Sequence, residues 1–191
     1  AQDEERFARE AQLLAELPDI RRLLEHHLRP DVEPSPAVHS VYGSRLLELL
    51  SIDRRWTETQ VPAIFCDAPA PLGEAAWRGF VHAHKAHRTF LELLRAWYEK
   101  ALATAEPAAE HPSDYERDLS THMIDLYAAE VIDLSNTTLL GRFFARSSPA
   151  RRRAILHSIG FRLQNTDEPL EPGLAERLER HSARTGGTAL H

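Results

Sequence analysis

The chain has 191 residues, with 29 acidic and 23 basic side chains and a formal net charge of −6, which is long enough to bury a core without covalent staples and too acidic for a protein devoted to nucleic acid. Cys66 is the only cysteine, which excludes a disulfide framework or a thiolate-rich zinc site and suits a reducing cytoplasm. No apolar run approaches the roughly 20 residues that span a bilayer, and the opening AQDEERFARE is charged rather than signal-like, so a cytoplasmic chain with no membrane partner is expected.

Helical periodicity punctuated by prolines recurs throughout, with no convincing alternating strand, and predicts an all-α fold. A first helix is predicted over 3–17 and a second over 18–28, where Pro18 is acceptable because the first helical residue needs no amide hydrogen. The prolines of RPDVEPSP make a connector, followed by shorter helices over 37–52 and 53–65. DAPAPLG breaks the chain again, before a long helix over 74–104 that ends in AEPAAEHPSD. Ser113 or Asp114 can cap a helix over 115–134, and a shorter one over 138–145 follows. Ser148 with Pro149 marks the start of a helix reaching about residue 164. The last helix, 172–183, runs into RTGGTALH, whose glycines predict fraying. The organisation expected is a helical hairpin over 1–33, a helical domain over 34–184 and a flexible tail over 185–191. Short connections between antiparallel neighbours permit a stacked row or a closed bundle, and the row is favoured. Trp56, Trp77 and Trp97 would bridge its adjacent layers.

The densest chemical signal is WRGFVHAHKAHRTFLELLRAWYEKAL, Trp77 to Leu102, with histidines at 82, 84 and 87. On one continuous helix Trp77, Phe80, His84, His87, Leu91, Leu94, Tyr98 and Ala101 share an arc, while His82 points elsewhere. Trp77, Phe80, Leu91, Leu94 and Tyr98 are therefore expected to be buried together. His84 and His87 could both touch one ion, but zinc needs further ligands and no HExxH, ExxH or HxxxE spacing supplies them. The reading is structural, with no metal: His87 a core histidine bonded to a carbonyl, His84 at the edge, His82 in solvent. A metal-dependent helical enzyme using His84 and His87 is the alternative.

No GxSxG elbow, GxxxxGK[ST] loop or GxGxxG occurs, so no catalytic residue and no cofactor is assigned and a non-enzymatic chain is expected. Cys66 reads as a small buried hydrophobe. Glu130 falls on the apolar face of Leu119, Met123, Leu126, Val131 and Leu134, where a buried carboxylate needs a partner such as an arginine of the next helix. Gly141 and Gly160 read as points of close helix approach.

Charge is uneven. Residues 1–33 hold nine acidic and five basic side chains, and residues 142–184 the reverse, nine basic and five acidic. Arg151, Arg152 and Arg153 crowd a predicted helix N-terminus, where positive charge opposes the macrodipole unless a carboxylate or external anion compensates it. With Arg162 they are the candidate partner-binding or anion-binding residues; a solvated face is the alternative.

WTETQVPAIF at 56–65, EAAWRGFV at 74–81 and LLGRFFARSSPARRRAILHSIGFRL at 139–163 together resemble the C-terminal HEAT-like helical region of large bacterial proteins whose N-terminal parts carry sirtuin-like or P-loop NTPase modules, often associated with defence against phage. The resemblance covers roughly 46–184 and transfers no catalytic residue. It implies a short HEAT-like α-solenoid, with a closed helical bundle as alternative, that belongs to a larger multidomain protein and binds a protein partner or its own effector module. Nucleic-acid binding through Arg151 to Arg153 and Arg162 ranks below that.

Overall fold

The computed structural model of the protein describes residues 13–66, 70–104, 113–129, 131–132, 139–146 and 152–153. Every secondary-structure element among the described residues is an α-helix, as the periodicity predicts. In chain order they are α1 (Leu13–Glu16), α2 (Pro18–His27), α3 (Pro36–Ser44), α4 (Leu46–Ile52), α5 (Arg54–Ile64), α6 (Ala70–Ala83), α7 (Arg88–Leu93), α8 (Arg95–Thr104), α9 (Asp114–Ala128) and α10 (Leu139–Arg146). None is long and apolar enough to cross a membrane.

Helix starts follow their local chemistry. Pro18 and Pro36 occupy the first turns of α2 and α3, where a missing amide hydrogen costs nothing. Asp53 caps α5, its carboxylate accepting from the Trp56 amide at 2.9 Å while only 4 % exposed. Ser113 caps α9 in a reciprocal box with Glu116, which satisfies two orphan donors at once.

Two predicted helices are broken. The helix expected over 37–52 splits at Arg45 into α3 and α4. The Gly43–Ser44 pair permits the bend, and Ser44 Oγ bonds back to the Val41 carbonyl. The long helix expected over 74–104 begins earlier, at Ala70, because Pro71 fits a first turn. It then breaks at residues 84–87 and again at Leu94. His87 is extended, with φ −141° and ψ 156°, so the single helical arc through His84 and His87 does not exist. Trp77, Phe80, Leu91, Leu94 and Tyr98 are nonetheless all buried, because α7 and α8 turn back into the core that α6 leaves.

That core is one continuous cluster running from Leu14 to Phe143. Fully buried Phe80 lies at its centre, its ring within 6.4 Å of the rings of Phe65, Trp77, His84, Phe90, Tyr98 and His122. Among the described residues the most extensive helix packing is between α3 and α6. A β-carbon on Gly43 would meet the Ala76 carbonyl, and one on Gly79 the Ser40 carbonyl, so two backbones touch where side chains would hold them apart. Of the glycines singled out from sequence, Gly141 is buried in α10, and Gly160 lies outside the described residues. α6 also packs on α5 and α9, and α8 on α10.

Each tryptophan ties one helix to another through its indole N–H. Trp56 donates to Glu25 of α2 at 2.9 Å, Trp77 to the Tyr115 hydroxyl of α9 at 2.8 Å, and Trp97 to the Phe65 carbonyl beyond α5 at 3.0 Å. Each indole N–H thus joins two separate segments of the helical core, and the Trp77 and Trp97 rings also stack on one another.

Candidate functional site

The break between α6 and α7 gathers the histidines. His82, at the end of α6, is exposed and its Nδ1 lies 2.9 Å from an Asp118 carboxylate oxygen of α9. The His84 ring is half-buried between Phe80 and Phe90, both at 5.4 Å. His87 is half-buried rather than a core histidine, and its Nδ1 accepts from the Thr89 amide at 3.3 Å and caps α7. His84 and His87 therefore belong to different local structures and do not share a helix face.

The core histidine of this region is His122 on α9, 1 % exposed. Its Nε2 lies 2.7 Å from the His84 carbonyl oxygen, and its Nδ1 2.8 Å from the Tyr98 hydroxyl. A carbonyl only accepts, so Nε2 carries the hydrogen; in the neutral ring Nδ1 is then the acceptor and Tyr98 donates to it. The carbonyl of His84, left without a helical partner by the break, is satisfied from another helix.

Electrostatics agree with this assignment. Burial holds the His122 imidazole below its usual range, against the pull of the His84 carbonyl and of Asp125 and Asp118. Burial likewise lowers His84, although Glu48 and the carbonyls of Gly43 and Ser44 pull the other way. Tyr98 is pushed far up by burial and then by the Asp125 charge. Burial alone would raise Glu48, but its own backbone amide, Arg45 and His84 together hold it below the usual carboxylate range. His84 Nε2 and Glu48 Oε2 are both buried atoms without a hydrogen-bond partner.

A second internal histidine, His39 of α3, is fully buried, with Nδ1 3.0 Å from the Ile64 carbonyl. Neither His39 nor His122 was singled out by sequence reasoning. His122 was accessible to it, since positions 119, 122, 123 and 126 fall on one helical stripe, whereas the carbonyls that hold both rings come from remote parts of the chain. Among the described residues no group of three His, Cys, Asp or Glu side chains could hold a metal ion.

Of the arginines named from sequence, Arg152 and Arg153 are exposed and helical, and Arg152 donates to the Ala145 carbonyl at 3.3 Å. Arg151 and Arg162 lie outside the described residues, as do Glu130, Leu134, the helix predicted over 172–183 and the tail. Cys66 is half-buried rather than fully buried. The surface feature missed by sequence reasoning is apolar. Leu13, Leu17, Ile20 and Leu23 are 47 %, 42 %, 47 % and 54 % exposed, and α2 contains no fully buried residue. Compared with known proteins, the chain matches no family model, no curated protein and no solved structure.

Proposed function

We propose that the chain is a non-enzymatic helical scaffold or recognition region of a larger bacterial multidomain protein, built as a short HEAT-like stack, that binds a protein partner or its own effector module. The observation that carries this reading is the exposed apolar group Leu13, Leu17, Ile20 and Leu23. Four large aliphatic side chains left in water over eleven residues are costly in isolation and are the usual mark of a protein-binding surface. The pairing of α3 with α6 and of α6 with α9, every third helix in chain order, supports a stacked row. The exposed arginines 152 and 153, with Arg151 and Arg162, would supply a charged contact that steers the partner rather than anchoring it. An anti-phage setting follows from the resemblance of the helical segments and from nothing else.

The test uses the full-length parent and two sets of variants. Ile20→Glu with Leu23→Glu, and separately Arg151, Arg152 and Arg153 all to glutamate, should leave helical circular dichroism and melting temperature nearly unchanged, since exposed groups contribute little to stability. Both should weaken partner binding or signalling. Unaltered binding and signalling in both folded variants would remove the recognition reading.

A further inference from the structure

We propose that the chain associates head to tail with further copies of itself, the apolar face of α1 and α2 in one copy receiving the arginine-rich surface of the next. The proposal rests on the reading of Leu13, Leu17, Ile20 and Leu23 as a protein-binding face and names its occupant. Ile20 and Leu23 stand one turn apart on α2 and so project to the same side, and both are about half exposed, at 47 % and 54 %. The helix that carries them is fixed from behind. Trp56 of α5 donates to Glu25, and the Tyr42 hydroxyl of α3 donates to the Leu24 carbonyl, so the face is presented by a held element. Exposed carboxylates border it at Glu16 and Asp19.

Charge decides the occupant. Residues 1–33 carry nine acidic and five basic side chains, so laying this face on its own copy brings like charge together and opposes symmetric pairing. The complement lies near the other end of the sequence, where residues 142–164 hold six arginines and no acidic side chain. Arg142, Arg152 and Arg153 are exposed there. The two surfaces are borne by different helices, since α10 packs on α8 and α9 while α2 is held by α3 and α5. The basic segment also has apolar side chains to offer. Read from sequence, the helix predicted over 149–164 places Ile155, Leu156, Ile159 and Leu163, all outside the described residues, within about 100° of one another, with Arg151 and Arg162 along one border. A contact between two unlike surfaces leaves one of each unused, so copies add in open rows or rings instead of stopping at a pair.

Sedimentation equilibrium of the 191-residue chain from roughly 5 to 500 μM tests this. The weight-average mass should rise with concentration and pass that of a dimer. Ile20→Glu with Leu23→Glu, and separately Arg151→Gln, Arg152→Gln and Arg153→Gln together, should each weaken association by about tenfold or more. Mixed one to one, the two variants should associate again and stop at a dimer, because the first keeps the basic surface and the second the apolar face. Recovery in the mixture also shows that both are folded. A mass that stays that of one copy across the range overturns the proposal. So does a dimer that survives loss of the three arginine charges, which is symmetric pairing of the apolar faces. If the chain stays single while Ile20→Glu with Leu23→Glu still abolishes partner binding by the full-length parent, self-association falls and the recognition reading stands.

Discussion

The indole of Trp77 stacks on that of Trp97, with centroids 6.2 Å apart and planes 26° from parallel, and the two N–H groups leave the stack toward different helices. Trp77 is 2 % exposed, so its truncation removes a large apolar surface, a stacking contact and a donor to Tyr115 together. Trp77→Ala should cost about 3 to 5 kcal/mol, as a buried aromatic truncation usually does. Urea unfolding measures it, and a loss below about 1 kcal/mol would contradict the packing described.

Gly43 makes the opposite kind of contact, since it works by what it lacks. Alanine raises intrinsic helix propensity by roughly 1 kcal/mol over glycine, yet its β-carbon here would strike the Ala76 carbonyl, which is backbone and cannot swing aside. Gly43→Ala should destabilise by about 1 to 3 kcal/mol, the usual range for overpacking. A higher melting temperature in that variant would mean that α3 and α6 do not cross as described.

Asp53 caps α5 from a nearly buried position. Asp53→Ala leaves the Trp56 amide without its acceptor and should cost about 1 to 2 kcal/mol. Asp53→Asn retains an oxygen and should recover most of this in the same denaturation experiment.

Tyrosine ionisation separates buried from exposed phenols. Burial pushes Tyr42, whose hydroxyl donates to the Leu24 carbonyl at 2.9 Å, up to about 12, and pushes Tyr98 further still. Phenolate absorbance should therefore rise in separate steps, with the last appearing only as the fold is lost in alkali. Tyr98→Phe should abolish the latest step and, by stranding His122 Nδ1, cost about 1 to 3 kcal/mol.

Stability should fall on the acid side. His84 and His122 have folded-state pKa values below the usual 6.5, so below that pH the unfolded chain binds more protons than the folded one. Their contribution is complete above about pH 6.5 and is lost as pH drops toward the lowered values. Chemical denaturation across that interval should show declining stability, and His122→Gln should flatten the decline.

Proline placement and capping made much of the helix list legible: Pro18, Asp53 and Ser113 mark starts that the structure keeps. The breaks were not legible, because a helical wheel cannot distinguish one helix from two that re-enter the same core. Trp77, Phe80, Leu91, Leu94 and Tyr98 are buried together, yet the helix that predicted it is interrupted between Phe80 and Leu91. The histidine cap of α7 was hidden for a different reason. Histidine is not a preferred capping residue, and nothing in HKAHRT distinguishes it from a helix interior. His122 could be placed on an apolar stripe, but its partner, the carbonyl of His84, exists only once the break has formed.

The touching of α3 and α6 also bears on the order in which the molecule can form. Gly43 and Ala76 meet across a span that contains all of α4 and α5, so no local hairpin can create the contact. Closing that loop costs entropy before any burial offsets it. On the ribosome, α3 must wait until α6 has left the exit tunnel, and until then its glycine face has no partner. The segment from Pro36 to Ala83 should therefore acquire its native packing in one late step of synthesis rather than helix by helix.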